Sequence, residues 1–184
     1  GKAGKAAARR RKGGGGAARG KRASPAQLRA QHDISNFDLP LCCQTEFPDA
    51  DNLTSFLVHI TPTDGLYKNA KFTFTVDVTK SYPYEPPKVR CETLCWHPNL
   101  ALNGAVCLNI LKLPPLGEWS PALSLSSVVF GLYTLFLDPN PDDPLNTDAA
   151  KQMIERRAEF ERDVHKALQG GYVHGHHFKK AYVK

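Results

Sequence analysis

The chain has 184 residues, 41% of them hydrophobic, and a formal net charge of +6, a size and composition typical of one folded domain. No apolar run approaches the ~20 residues of a membrane span, and we expect neither a membrane contact nor a secretory signal. The cysteines number five. An odd count without an export signal favours reduced thiols over a disulfide framework, and therefore the cytoplasm and nucleus.

The positive charge is concentrated at one end. Residues 1–23 consist only of Gly, Ala, Lys and Arg, and nine of them are basic, whereas the rest of the chain has 15 basic and 18 acidic residues. Because this segment has no large apolar side chain to bury, we expect a disordered basic tail over 1–23 and one folded domain over 24–184. The tail is either a solubilising arm or a docking segment for an acidic surface, with nucleic acid the less favoured partner.

Order is predicted to begin at "SPAQ". Ser24 can serve as the N-cap, Pro25 suits the first helical position, and Gln27 completes a capping box. A helix of about three turns should follow and end before Leu39–Pro40. The apolar residues expected on its buried face are Leu28, Ile34 and Phe37.

Strand patterns follow this helix. Residues 53–61 and 71–78 alternate apolar and polar side chains, and 88–96 predicts a further strand after the proline cluster "YPYEPP". About four antiparallel strands in a meander sheet are expected. Residues 97–123 hold four prolines and two glycines without a clean period, which predicts a long loop of the kind that is usually functional.

Helices return after the loop. Ser124 is the expected N-cap of the first, and the second should begin at Asn146 or Thr147 and end at Gly170–Gly171. The last residues, 172–184, were expected to form one short helix. The element order predicts an α+β fold in which a meander sheet is backed by helices.

The cysteines were considered as metal ligands. Those outside the long loop are Cys42, Cys43, Cys91 and Cys95. They lack the paired knuckles of a structural zinc site, so burial as small apolar side chains is the expected role. A histidine cluster at 174–177 is expected to be solvated rather than to bind metal.

Cys107 differs because it follows the turn signal Asn103–Gly104 in the long loop, with His97–Pro98–Asn99 upstream. A loop position near the surface suits a reactive thiol. The alternative is another buried small residue, and the local sequence alone does not decide between the two roles.

Four motifs, in this order, resemble the ubiquitin-conjugating enzyme family: "YPYEPPKV", "HPN-x₇-C-L", "WSPAL" and "DPNPDDPLN". The likeness extends from about Ser24 to the C-terminus. Within the family, "SPAQLRAQHDI", "VCLNIL" and "GGYVHGHHF" look most like the branch that conjugates Rub/Nedd, the related-to-ubiquitin modifier. Two departures stand out: the segment 108–118 is longer than usual in that branch, and the tail lacks the apolar residues that dock the branch's N-terminal extension.

The resemblance implies a thioester carrier. An activating enzyme would present the modifier as a thioester, Cys107 would accept it by transthiolation, and a substrate lysine would then attack. Because the carbonyl arrives already activated, and thiols of similar pKa exchange nearly isoenergetically, no strongly basic histidine is needed beside the cysteine. ATP is spent by the upstream enzyme, so no cofactor and no metal are implied for this chain.

The resemblance also assigns roles to individual residues. Asn99 would donate to the oxyanion or hold the active-site loop, and Asp143 would orient the incoming lysine or serve only as a turn residue. The residues expected to support the active-site loop are His97, Pro98, Leu108 and Leu145.

Partner surfaces are implied in the same way. The surface for a RING-type ligase would include Tyr84, Pro121 and Ala122, and the surface for the heterodimeric activating enzyme would include Gln27 and Arg29. Cullin-type substrates and a monomeric state are expected for the branch. The alternatives left open are a carrier for ubiquitin itself, a non-catalytic interaction module, and a cysteine hydrolase, which would need a histidine such as His59 or His165 near the thiol.

Overall fold

The computed structural model describes residues 22–183. The first helix, α1, spans Pro25–Ser35, and Ser24 and Gln27 form the predicted capping box. Of the three residues predicted for the buried face, Ile34 and Phe37 are partly buried against the core, but the prediction is wrong for Leu28, which is 56% exposed. The helix instead buries the small side chains Ala26 and Ala30 together with Asp33, which lets it lie close against the rest of the domain.

The four-stranded sheet is antiparallel in the order β1–β2–β3–β4, as predicted. Its strands are β1 (Cys43–Glu46), β2 (Ser55–Ile60), β3 (Phe72–Asp77) and β4 (Lys88–Cys91). Alternate residues of the central strands β2 and β3 are buried, consistent with a sheet that has one face on the core. The predicted strand 88–96 is too long, since pairing with β3 ends at Cys91.

The second helix, α2, spans Leu125–Leu137 and begins with a capping box at Ser124. Its Phe136 ring stacks on Phe72 of β3 with a centroid separation of 4.0 Å. Tyr67 packs edge-on against Phe136 and donates its buried hydroxyl to the carbonyl of Trp96, at 2.8 Å. This aromatic core fixes the loop after Trp96 against the helix.

The single C-terminal helix predicted from Asn146 to Gly170 is two helices. They are α3 (Thr147–Glu155) and α4 (Arg157–Gln169), and the chain bends at Arg156, whose φ and ψ are −142° and 57°. Gly170 ends α4 in the left-handed conformation, as predicted. The short helix expected over 172–184 is wrong: β5 (Tyr172–Val173) and β6 (His176–His177) form a hairpin there.

All five cysteines have free thiols. Cys43, Cys91 and Cys95 are buried, and Cys42 is partly buried, which fits their prediction as packing residues. Within residues 22–183, no helix combines the length and apolar character needed to cross a bilayer. The predicted tail lies almost wholly outside the described residues.

Candidate active site

A tight hairpin of residues 99–107 places Cys107 beside the sheet. Its turn is closed by two hydrogen bonds of 2.9 Å, from the Ala101 amide to the Ala105 carbonyl and from the Gly104 amide to the Ala101 carbonyl. The amide of Cys91 in β4 donates to the carbonyl of Gly104 at 2.8 Å. Gly104 has a φ of +90°, and a Cβ there would approach the Cys91 carbonyl to 2.6 Å, so glycine is required at the turn. The returning arm ends with the Cys107 amide bonded to the Asn99 carbonyl at 2.9 Å.

The Cys107 thiol contacts two charged groups. Its Sγ donates to Oδ2 of Asp143 at 3.1 Å, and Nζ of Lys112 donates to Sγ at 3.1 Å. Lys112 and Asp143 also form an ion pair at 2.8 Å. The three groups therefore form a closed triangle, and two of them, Cys107 and Asp143, line a pocket of about 200 Å³.

These contacts act on the thiol in opposite directions. Burial raises the pKa of Cys107, and the hydrogen bond to the Asp143 carboxylate raises it further, while the Lys112 ammonium lowers it. The Lys112 pKa is raised by its hydrogen bonds to Asp143 and Cys107, and the Asp143 pKa is lowered by Lys112. The net result is a thiol that is mainly protonated near neutral pH, rather than a strongly activated thiolate.

The Asn99 side-chain amide makes all its hydrogen bonds within the fold. Its Nδ2 donates to the carbonyls of Asn140 and Asp143 at 2.7 and 3.2 Å, and its Oδ1 accepts from the Asn140 amide at 2.9 Å. The side chain is almost fully buried. In this conformation both amide N–H groups hold the 140–143 loop, and neither is free for an oxyanion.

His97 and Pro98 fix the start of the same hairpin against α2 and α3. The buried His97 ring accepts the Asn99 amide at Nδ1, so Nε2 carries the proton and donates to the Leu135 carbonyl at 2.8 Å. Burial lowers the His97 pKa to about 4. The Pro98 carbonyl accepts the amides of both Leu145 and Asn146 at 2.9 Å, which ties the hairpin to the start of α3.

Two leucines were predicted to support the active-site loop. Leu108 lines the pocket, but Leu145 does not, and its side chain is 44% exposed. The pocket is lined by Asn99, Cys107, Leu108, Asn109, Thr134, Leu135, Asp138, Asn140 and Asp143. Residues of α2 and the 138–143 loop, rather than Leu145, therefore complete the pocket wall opposite Leu108 and Asn109.

The residues assigned to a ligase surface are solvent-exposed. Tyr84 is 75% exposed, and Pro121 and Ala122 are exposed. The buried Trp119 indole donates to the Pro83 carbonyl at 2.8 Å, so the proline loop and the segment that follows Trp119 are joined at this face.

The two residues assigned to an activating-enzyme surface are both engaged within the chain. Gln27 caps α1 by accepting the Ser24 amide at 2.7 Å. Arg29 binds Asp33, and its two terminal nitrogens donate to the carbonyls of Pro121 and Leu123 at 3.1 and 2.9 Å. The guanidinium therefore braces α1 against the loop before α2.

Histidines within residues 22–183 do not hydrogen-bond the Cys107 sulfur. His59 contacts Thr73 and Glu46, and His165 contacts Tyr182. A cysteine hydrolase needs a histidine that can take the thiol proton, so this arrangement argues against that alternative.

The sequence reasoning missed Lys112 and Asn140. The longer segment 108–118 was noted as unusual, but nothing in its pattern indicated that Lys112 would reach the thiol. It also missed a cluster of Glu159, Asp163 and His174, whose ligand atoms lie within 4.8 Å of one another. The His174 ring stacks on Trp96 with a centroid separation of 4.7 Å, and the residue remains solvent-exposed, as predicted.

Comparisons with known proteins give one family. The family model described as "Ubiquitin-conjugating enzyme" matches residues 29–168. The chain is 51% identical over 160 residues to the NEDD8-conjugating enzyme Ubc12 of Dictyostelium discoideum, covering 87% of this chain and 68% of that protein. It is 46% identical over 164 residues to the Nedd8-conjugating enzyme UbcE2M of Drosophila melanogaster, covering 89% and 88%.

The solved structure of S. cerevisiae Ubc12 superposes with a TM-score of 0.81 at 37% sequence identity, over 88% of this chain and 86% of that one. Sequence and fold therefore agree on the family, with the match covering the hairpin, the pocket and the four-stranded sheet. The chain belongs to the ubiquitin-conjugating enzyme family, in the branch of its NEDD8-conjugating relatives.

Proposed function

We propose that this protein accepts NEDD8 from an activating enzyme as a thioester on Cys107 and transfers it to a substrate lysine. The observation that supports this most strongly is the Cys107 thiol in the wall of a pocket, with its Sγ 3.1 Å from Oδ2 of the Asp143 carboxylate. That site lies in a chain similar over most of its length to NEDD8-conjugating enzymes.

The chemistry follows from the polarity of the site. In loading, the Cys107 thiolate attacks the incoming thioester, and the activating enzyme's sulfur leaves, so one thioester replaces another. In discharge, a substrate amine attacks the new thioester and Cys107 leaves as thiolate. A neutral amine is the nucleophile, and Asp143 is placed to orient it by accepting a hydrogen bond.

Asn99 has two candidate roles, and its contacts favour one of them. Its amide is committed to Asn140 and Asp143, so holding the loop that presents Asp143 is its proposed role. Direct donation to an oxyanion would first require that one of these bonds break.

Several partners belong to the same proposal. The activating enzyme would be heterodimeric and would spend the ATP, with no cofactor bound by this chain. A RING-type ligase would dock at the face formed by Tyr84, Pro121 and Ala122, and the substrates would be of the cullin type. We place the protein in the cytoplasm and nucleus, acting as a monomer.

Two other functions remain to be separated by experiment. A carrier for ubiquitin would use the same thiol and pocket, and only the choice of modifier differs. A non-catalytic interaction module needs no thiol in contact with a carboxylate and an ammonium group, and these contacts of Cys107 favour catalysis over it.

Loading assays separate these functions. The protein is mixed with ATP and either the NEDD8-activating or the ubiquitin-activating enzyme, each with its own modifier, and run on non-reducing gels. The proposal expects a thiol-labile adduct with NEDD8 and little with ubiquitin. The opposite preference would assign ubiquitin, and no adduct with either would reject the carrier function.

The nucleophile is tested with Cys107→Ser. The hydroxyl keeps the geometry but is a poorer leaving group, so the adduct should become resistant to thiol reductants. Cys42→Ser is the matched control, because Cys42 is more exposed than Cys107 and its replacement should leave the thiol-labile adduct unchanged. A thiol-labile adduct that persists in Cys107→Ser would move the nucleophile to another cysteine.

A further inference from the structure

Two neighbouring thiols are in contact outside the catalytic pocket. Cys42 is the last residue of the turn before β1, and Cys43 is the first residue of that strand. Their Sγ atoms are 3.9 Å apart, although successive side chains within a strand point to opposite faces. The contact is possible because Cys42 lies outside the strand. We call Cys42 and Cys43 the vicinal pair, and neither of them lines the pocket that holds Cys107.

The peptide unit that joins the vicinal pair is hydrogen-bonded on both sides. Its carbonyl, from Cys42, accepts the Thr61 amide at 2.9 Å, and its amide, from Cys43, donates to the Pro40 carbonyl at 2.8 Å. These bonds oppose any rotation of the peptide plane. Cys43 is only 7% exposed whereas Cys42 is partly exposed, so a ligand from solvent reaches the sulfurs from the Cys42 side.

This geometry is unsuited to a disulfide. The peptide bond between the two cysteines is trans, which sets their Cα atoms ~3.8 Å apart, whereas disulfides usually span ~4.4–6.8 Å between Cα atoms. The sulfurs would also have to approach from 3.9 Å to ~2.05 Å. Because the peptide unit is fixed on both sides, the backbone resists the distortion that this closure requires.

The separation of the sulfurs suits two bonds to one bridging ion. A Zn–S bond of ~2.3 Å and a tetrahedral angle place two sulfurs ~3.8 Å apart, close to the 3.9 Å observed. We propose that the vicinal pair binds a soft divalent cation of the zinc type, Zn²⁺ or Cd²⁺, through both sulfurs. Thiolates are the protein ligands that select such soft ions over Mg²⁺ or Ca²⁺.

Binding exchanges protons for the ion without any change in oxidation state. Two S–H bonds break, two S–metal bonds form, and both protons leave to solvent. The two thiolates neutralise the dication, so the bound site has no net charge. A neutral site is suited to the edge of the core, because an uncompensated buried charge would be costly.

The proposed site differs from a structural zinc site. Structural zinc is enclosed by four protein ligands, and the sequence lacks the paired knuckles that supply them. Among the described residues, no His, Asp or Glu group joins the vicinal pair in a three-ligand cluster. Water must therefore complete the coordination, and we expect an exchangeable ion rather than one required for folding.

The cluster of Glu159, Asp163 and His174 is a poorer cation site, although its ligand atoms lie within 4.8 Å of one another. The Gln152 amide already occupies it, since Nε2 donates to Glu159 and Asp163 at 3.1 and 2.6 Å and lies 3.5 Å from Nε2 of His174. The Trp96 indole donates to Oε1 of Gln152 at 2.7 Å and fixes the amide in this orientation. A cation there would have to displace this buried side chain.

The test uses the full chain with Cys107→Ser, so that the catalytic thiol cannot bind the ion. Cd²⁺ is titrated into this parent protein under a non-thiol reductant, and the ultraviolet charge-transfer absorption of metal thiolate bonds is recorded. The absorption should saturate at one ion per chain. Zn²⁺ should compete for the site, whereas a large excess of Mg²⁺ should not. Native mass spectrometry should show one ion bound to one chain.

The ligands are tested by removing one sulfur at a time. Cys42→Ser and Cys43→Ala should each weaken binding by about a hundredfold or more, because two linked ligands bind far more tightly than either alone. Cys91→Ala is the matched control, since Cys91 is a buried cysteine outside the vicinal pair whose Sγ donates to the Thr93 carbonyl at 3.1 Å. It should leave the affinity unchanged. Thermal unfolding without the ion shows which variants are folded, and Cys42→Ser, at a partly exposed position, tests the pair without altering the core.

Four results would overturn the inference. They are the absence of a charge-transfer band, an affinity in Cys42→Ser equal to that of the parent, an ion that binds only by joining two chains, and a Cys42–Cys43 disulfide that forms in air once the reductant is removed. All four leave the proposed function standing, because loading of Cys107 does not use the vicinal pair.

Discussion

Replacing Asn99 by alanine separates a loop-holding residue from an oxyanion donor. The substitution removes three hydrogen bonds to the 140–143 loop, two donated by Nδ2 and one accepted by Oδ1. Because a hydrogen bond contributes about 0.5–1.5 kcal/mol net, and buried groups left unpaired cost more, we expect a loss of about 2–4 kcal/mol in the free energy of unfolding. For a domain of this size that corresponds to a fall in Tm of roughly 5–15 °C.

Activity should fall together with stability. Asp143 is presented by the loop that Asn99 holds, so both the stability of the fold and the rate of discharge to lysine depend on the same bonds. The measurements are thermal unfolding and, at a temperature where the variant is folded, the rates of loading and of discharge. Asn103→Ala is the matched control, because Asn103 is exposed and accepts one hydrogen bond, from the Ala105 amide at 3.0 Å.

The control should lose no more than about 1 kcal/mol and should discharge normally. The loop-holding role would be refuted by a variant whose Tm and loading are unchanged while discharge slows by about 100-fold or more. That pattern is expected of an oxyanion donor, which is worth ~2.7–4 kcal/mol in the transition state alone.

Two further predictions concern pH and salt. His97 is buried with a pKa of about 4, below its unfolded value of ~6.5, so the unfolded state binds its proton first and the folded state loses stability as pH falls from 6.5 to 4. In denaturant titrations the loss in the free energy of unfolding should reach about 3 kcal/mol. In His97→Gln this loss should be smaller by that amount. Equal losses in the two proteins would contradict the low pKa assigned to His97. Deleting residues 1–23 removes nine positive charges, so loading by the activating enzyme should slow, and the defect should shrink with added salt. A salt-insensitive defect would refute electrostatic steering.

The elements that sequence predicts well here are those set by local chemistry. Both N-caps, Ser24 and Ser124, were recognised from the sequence, the first together with Gln27, its capping-box partner three positions later. The central strands were recognised because they alternate between a buried and an exposed face. The edge strand Cys43–Glu46 has no such alternation of apolar residues, and its pairing with β2 depends on tertiary contacts.

Errors occurred where a tertiary contact overrides the local pattern. Leu28 was assigned to a buried face, but α1 packs through Ala26 and Ala30, whose small side chains gave little apolar signal. At the C-terminus, His174 and Gly175 both adopt positive φ, which turns the chain into the β5–β6 hairpin where a helix had been expected.

The candidate site also combines residues that the sequence predicts with one whose position depends on tertiary contacts. Cys107, Asn99 and Asp143 were recognised through family motifs, and the fold brings all three to one pocket. Lys112 lies only five positions after Cys107, yet its contact with the thiol depends on the 3-10 turn Asn109–Leu111 and on the rotamer of a long side chain. Neither can be predicted from the residue types alone.

Charge is distributed across the site in a way that divides its functions. The interior supports, His97 and Asn99, are neutral and buried, because an ionised group there would have to give up its hydration. The charged pair, Lys112 and Asp143, lies at the rim with side chains 33% and 61% exposed, where water remains available and a pairing can be exchanged. Substitutions in the interior should therefore be detected first in stability, since they release backbone that the neutral groups hold. Substitutions at the rim should be detected first in the pH dependence and the products of transfer. The reason is that the Cys107 thiol contacts the charged pair, which remains in contact with solvent.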